Sequence, residues 1–268
     1  MEENMESVIE IKDLKMRYDT AGDYVLKGID LNIFPGQIIG YIGPNGAGKS
    51  TTVKIMLGMI DTYEGAVKIL GKDIKEESVA YKRHIGYVPE VATLYDSLSG
   101  AEYLQFIGEL YQMDPETLTQ KAEALFDLFG IKTAYYNRIS SYSKGMKQKL
   151  LIISSLIHNP DILFFDEPIS GLDANSVMVF KEILRKLAEK GKTIFYSSHI
   201  MEVVEKISDR IIVLNDGVVV ADGNFETLSQ NRKDHSLQEI FNQLTGFDTH
   251  AQIAESFVRT LMDEEVTV

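Results

Sequence analysis

Gln37-Ile-Ile-Gly-Tyr-Ile42 runs directly into Gly43-Pro-Asn-Gly-Ala-Gly-Lys49-Ser50. The first six residues are mostly apolar and follow the turn signal Phe34-Pro35-Gly36, so they predict a short buried strand. From Lys49 the pattern turns helical, with Val53, Met56, Leu57 and Ile60 at i, i+3, i+4 and i+7. The join between them spells G-x-x-x-x-G-K-[ST] in a strand–loop–helix setting. Glycines let backbone N–H groups turn inward around phosphate oxygens, and the helix behind them points its positive end the same way. Lys49 adds a point charge, and Ser50 offers a hydroxyl to Mg²⁺, a hard cation that takes oxygen ligands. The expected phosphate site is therefore Gly43, Pro44, Asn45, Gly46, Ala47, Gly48, Lys49, Ser50 and Thr51.

A second stretch supplies acids. Ile162-Leu-Phe-Phe-Asp166-Glu167-Pro168 places two carboxylates at the end of an apolar strand, where ligands collect in open α/β sheets. Asp166 is placed to hold Mg²⁺, directly or through water, and Glu167 to orient or deprotonate an attacking water.

Elsewhere, strand-like stretches start at Val8 and span Leu26 to Ile33 and Thr193 to Tyr196. Residues 91–156 read mostly as helix, as does Val177 to Leu187. Asn215-Asp216-Gly217 divides two apolar runs and predicts a hairpin. From about Ser236 the tail carries Leu237, Ile240, Phe241 and Leu244 on one helical face, and a second helix carries Ile253, Phe257 and Leu261. Alternating β and α units predict a mainly parallel sheet with a helical insertion. Gly191-Lys192-Thr193 repeats the GK[ST] ending, but Lys186 stands where the first glycine is required, so it reads as a helix-to-strand turn. Ser99 followed by Glu102 reads as a capping box.

The 268 residues suit one large α/β domain or a domain with an inserted subdomain. Forty acidic against 27 basic side chains give a formal charge of −13. Such a chain lacks the basic field that nucleic acid or anionic lipid requires, so neither is an expected partner. It has no cysteine, which excludes disulfides, thiolate metal sites and cysteine nucleophiles and fits a reducing cytosol. No apolar run approaches the ~18 residues of a membrane helix, and the acidic start Met1-Glu-Glu-Asn-Met-Glu is unlike a secretory signal. The expectation is a cytoplasmic chain that another polypeptide holds at any membrane where it works.

Further motifs narrow the class of P-loop NTPases. Tyr142-Ser143-Lys144-Gly145-Met146 resembles the signature motif of ABC transporter ATPases, usually LSGGQ. Ser170-Gly-Leu-Asp173 resembles that family's D-loop, and His199 its switch histidine. Gly86-Tyr-Val-Pro-Glu90 resembles its Q-loop, with Glu for the usual Gln. Tyr18, ahead of Val25, resembles its adenine-stacking aromatic, with Tyr24 a nearby competitor. The resemblance implies a P-loop NTPase fold: a RecA-like core with an antiparallel β subdomain and an inserted α-helical subdomain at about 91–156. The ATPase domain would span 1–230, and a helical tail 231–268. ATP and Mg²⁺ are the implied cofactors, with Tyr18 and Val25 at the base and Ser50, Glu90 and Asp166 at the metal. Glu167 and His199 are the implied catalytic pair, and Asp173 belongs to the D-loop. Residues 142–146 would act in trans, on ATP held by a second ATPase subunit in a homo- or heterodimer.

YSKGM with a Q-loop Glu is similar to the branch that serves drug, antibiotic and polymer exporters. That implies a membrane-spanning permease as partner, docked around Leu94 to Met113, and a place at the cytoplasmic face of the membrane. The alternative is a non-transport ABC ATPase acting in translation or DNA maintenance. Three departures stand out: Lys144 adds positive charge to the signature, Glu90 adds negative charge, and Met146 lacks the polar contacts of a Gln.

Overall fold

The computed structural model describes residues 6–76, 79–91, 93–230, 236–246 and 250–262. In chain order the strands are β1 (Ile9–Met16), β2 (Leu26–Ile33), β3 (Ile38–Ile42), β4 (Glu64–Ile69), β5 (Lys72–Asp73), β6 (Ile85–Val88), β7 (Ile162–Asp166), β8 (Thr193–Ser197), β9 (Arg210–Asn215) and β10 (Val218–Gly223). The helices are α1 (Lys49–Met56), α2 (Gly100–Leu110), α3 (Pro115–Leu128), α4 (Lys144–Leu156), α5 (Ala174–Glu189), α6 (Met201–Ile207), α7 (Phe225–Ser229), α8 (Leu237–Thr245) and α9 (His250–Leu261).

Two sheets form. The larger has the order β10-β9-β3-β8-β7-β6 and is parallel except for β10. Side-chain alternation divides each strand between two cores. Ile39, Tyr41, Ile162, Phe164, Phe195, Ile212 and Leu214 face the smaller antiparallel sheet, β2-β1-β4-β5, with α1 between them. Ile38, Ile42, Leu163, Phe165, Ile194, Tyr196 and Val213 face α4, α5, α6 and α8. Gly40 permits that second contact: a Cβ there would lie 2.5 Å from Val204 of α6, well inside van der Waals range.

The helical insertion builds its own core from Tyr103, Leu104, Leu118, Phe126, Leu150 and Ile153 of α2, α3 and α4. Among the described residues of 91–99 there is no helix, and its first helix, α2, starts at Gly100. Ser99 caps α2 and Glu102 reaches back to the Ser99 N–H at 2.7 Å, completing the expected capping box. Helix α1 also stops a turn before Ile60, because Gly58 takes a positive φ of 62° and ends it. Strands β4 and β6 escape a periodicity reading. β6 is four residues long, and its Gly86 packs against the Ser155 carbonyl. The Asp216-Gly217 hairpin is present, with φ of 46° and 78°.

The tail divides in two. Leu237 and Ile240 of α8 are fully buried, Phe241 and Leu244 pack beside them, and the Leu237 N–H donates to Glu205 of α6 at 2.9 Å. In α9 the large apolar side chains Ile253, Phe257, Val258 and Leu261 are all exposed. The expected boundary at 230–231 borders residues outside the described set. Leu237→Ala should therefore cost roughly 2–5 kcal/mol of stability, while Ile253→Ala should stay within about 0.5 kcal/mol; urea unfolding midpoints measure both.

Candidate functional site

The C-terminal ends of β3, β7 and β8 open on one cavity of about 420 Å³. Asn45, Gly46, Ala47, Gly48, Lys49, Ser50 and Thr51 line it, with Tyr18, Val25, Glu90, Asp166, Glu167 and His199. Sequence-predicted residues from five separate segments thus converge. Gly43 and Pro44 are not in the lining. Gly43 backs onto the Leu214 carbonyl, where a Cβ would collide, and both residues offer carbonyls to Lys49. Gly48 holds φ at 103°, and a Cβ on it would sit 2.5 Å from Leu26, so the helix start needs glycine there.

The Lys49 ammonium donates to the Gly43 and Pro44 carbonyls at 2.6 and 3.1 Å. Burial pushes its pKa down, and the charges of Asp166, Glu167 and Glu90 oppose that shift. Three carboxylates against one half-buried ammonium leave the cavity short of positive charge. Among the described residues no cluster of three or more His, Cys, Asp or Glu is arranged to hold a metal. Few protein oxygens beside a phosphate loop suit Mg²⁺, which keeps several waters and binds through one or two protein ligands plus substrate phosphates. The expected metal residues Ser50, Asp166 and Glu90 all line this cavity, as do the oxygen-bearing Asn45, Thr51, Glu167, Ser197 and Ser198.

Glu167 is held tightly. Its backbone takes φ 48°, a costly left-handed conformation for a residue with a Cβ, and its N–H donates to the Ser197 carbonyl at 3.0 Å. One carboxylate oxygen accepts the His199 N–H at 2.6 Å; the other accepts from the Ser198 hydroxyl at 3.1 Å. The His199 ring Nε2 lies 3.7 Å from the same carboxylate. Asp166 accepts a short hydrogen bond from the Ser197 hydroxyl. Ser197 and Ser198 also line the cavity, and no local motif in the sequence points to them. Their position at the end of β8, a buried strand next to the acid-bearing strand, is the signal that could have found them.

Tyr18 is two-thirds exposed at the cavity edge, its hydroxyl 3.1 Å from that of Thr51. The competitor Tyr24 is turned away, donating to Glu64 at 2.6 Å with the Arg17 guanidinium over its ring.

Residues 142–146 do not reach this cavity. Ser143 caps α4, accepting the Met146 N–H at 3.2 Å. Tyr142 is buried in the helical lobe and donates to the Ala134 carbonyl at 2.6 Å; burial pushes its hydroxyl up to about 12. Met146 packs into the same lobe. Asp173 caps α5 by accepting the Ser176 N–H at 2.9 Å and lies 3.8 Å from Lys149 of α4. Gln148, a buried residue that the sequence reading passes over, donates to the Pro168 carbonyl at 2.8 Å.

The family described as ABC transporter matches residues 26–170. The ABC transporter ATP-binding protein NatA of Bacillus subtilis is 34% identical over 237 residues, covering 87% of this chain and 96% of that protein. The linearmycin resistance ATP-binding protein LnrL of Bacillus subtilis is 35% identical over 199 residues, covering 74% and 64%. Among solved structures, a dimeric post-hydrolysis state of the ATP-binding cassette MJ0796 with ADP and Pi superimposes with a TM-score of 0.74 at 27% identity, over 81% of this chain and 98% of that one.

Ser198→Ala frees one oxygen of Glu167 without touching the phosphate loop. One lost hydrogen bond of about 1 kcal/mol should slow kcat roughly fivefold and leave the KM for ATP unchanged in steady-state assays.

Proposed function

The chain belongs to the ABC transporter family as an ATP-binding subunit with ATPase activity, and on that premise we propose that it powers an exporter. ATP lies between the phosphate loop of one protomer and residues 142–146 of a second. The observation that carries this reading is the division of phosphate-binding groups. Lys49 and the loop line the cavity with the acids, while Ser143 and Gly145 head a 13-residue helix outside it. A second helix terminus with free N–H groups suits phosphate held by another copy.

In the closed dimer the loop N–H groups and Lys49 leave the Gly43 and Pro44 carbonyls to hold the β- and γ-phosphates. Ser50 and Asp166, with Glu90 nearby, would hold Mg²⁺, which would supply positive charge against the phosphate oxygens. Glu167 takes the proton of the attacking water as the water oxygen bonds to the γ-phosphorus and the bridging P–O bond breaks, leaving ADP and phosphate. The hydrogen bonds from His199 and Ser198 hold the Glu167 carboxylate on the cavity. Tyr18 and Val25 form the base-facing wall.

Among the described residues no helix is long and apolar enough to cross a membrane. ABC ATP-binding subunits work with membrane permeases, and we place this chain at the cytoplasmic face through such a partner. A groove of about 300 Å³ lined by Met59, Tyr87, Ile107 and Tyr111, within and beside the Leu94 to Met113 region, supports docking of a permease segment there. The resistance-type name of LnrL and the YSKGM signature support export. The non-transport alternative has no comparable support.

Glu167→Gln should bind ATP, form stable dimers on sedimentation, and hydrolyse ATP on the order of 10²–10⁴ more slowly. Near-normal turnover would remove Glu167 from this role. Ser143→Arg and Lys49→Ala chains should each be inactive alone. Mixed together they should regain part of the activity, because one interface then keeps both intact halves; a mixture no better than either variant counts against shared sites.

A further inference from the structure

We propose that α9 is a self-association surface that pairs with α9 of a second copy of this chain and reinforces the ATP-bound dimer; this rests on the shared-site reading above. Ile253, Phe257 and Leu261 follow one another at i, i+4 and i+8, and are 56%, 64% and 68% exposed. Val258 borders the same apolar face and is exposed too. The described charges on this helix, Glu255 and Arg259, pair with each other at 2.9 Å. They stand two residues either side of Phe257, which places them on the opposite face. No charge therefore enters the apolar face formed by Ile253, Phe257 and Leu261.

The arrangement is self-complementary. A two-fold axis at Phe257, with the helices antiparallel, brings Ile253 of one copy against Leu261 of the other, and the reverse. The place where the tail leaves the core favours a second copy as the occupant. Helix α8 packs on β9, and its Leu244 carbonyl lies 3.5 Å from the Asn215 amide nitrogen. Asn215 opens the hairpin turn whose Gly217 N–H donates to Ala47 of the phosphate loop at 3.2 Å. The tail thus departs beside the loop that meets the partner copy, and dimer symmetry sets two such exits about one axis.

Size decides what the contact does. Twelve residues of helix give a face roughly 18 Å long and 10 Å wide, a few hundred Å² per copy. A stable interface buries about 800 Å² per partner. Paired α9 helices therefore do not hold two chains together unaided, and act once the ATP sandwich has raised their effective concentration.

The test compares Glu167→Gln with Glu167→Gln/Phe257→Asp by sedimentation equilibrium with ATP. The second chain should dimerise at least tenfold more weakly, with an unchanged melting temperature without ATP. Equal dimer constants would sink the tail pairing and leave the shared-site reading intact, whereas a parent chain that stays monomeric with ATP counts against both. A melting drop of several degrees for Phe257→Asp would mean that α9 covers its own core, and would also overturn the proposal. Because the chain has no native cysteine, Phe257→Cys gives a second measurement: oxidation with ATP should yield a disulfide-linked dimer. A dimer that forms without the cross-link would overturn the two-fold crossing at Phe257.

Discussion

Strands β3, β7 and β8 are buried on both faces, and that constraint fixes where chemistry can sit. A polar group placed mid-strand would be desolvated without compensation, so the polar residues cluster where the strands end. The loop after β3 carries Lys49 and Ser50, the end of β7 carries Asp166 and Glu167, and the end of β8 carries Ser197, Ser198 and His199. Because β8 lies between β3 and β7, its serines stand between the phosphate loop and the acids. Adjacent strands are about 4.8 Å apart, a spacing that side chains of this length span with direct hydrogen bonds.

The signature helix is tied to the chain's own acids, although its tip faces away from them. Gln148 binds the carbonyl of Pro168, the residue after Glu167, and Lys149 lies near Asp173. A Cβ on Gly145 would sit 2.8 Å from the Gly171 carbonyl, and the Lys144 stem crosses Gly171 itself. Movement of α4 against the core would therefore pull on the loop that follows Glu167. In the proposed dimer, a partner's nucleotide pressing on Ser143 is linked through Gln148 to this chain's own water-activating acid. Burial of Gln148 makes that link stiff, since breaking it would leave a buried amide unsatisfied.

The phosphate loop, both strand acids, the Ser99 cap and the Asp-Gly hairpin were legible because each is a local pattern with one physical solution. Sheet order was not, since pairing β3 with β8 and β9 depends on which apolar faces meet, and all three strands are apolar on both. That is also why Ser197 and Ser198 went unread: their role comes from adjacency to β7, which no spacing in the chain encodes. β6 was missed because four residues around a glycine carry no period. Four-residue apolar spacing marks α8 and α9 alike. Only packing distinguishes them, because α8 finds α6 and β9 beneath it and α9 finds no cover among the described residues.

Two departures from the family's usual residues become related once the site is shared. Glu90 brings a negative charge to a cavity that already holds Asp166 and Glu167. Lys144 brings a positive charge to the tip of α4, and among the described residues its ammonium has no ion-pair partner, whereas Lys147 and Lys149 face Asp96 and Asp173. Within one chain these residues belong to different surfaces. In the proposed dimer each nucleotide meets Glu90 from one copy and Lys144 from the other, so the two added charges oppose each other at the same site. The positive residue then arrives only on closure, where it meets phosphate in a region shielded from water and its attraction is strongest. A chain of net charge −13 has reason to keep that charge on the approaching surface, because two such chains otherwise repel as they close.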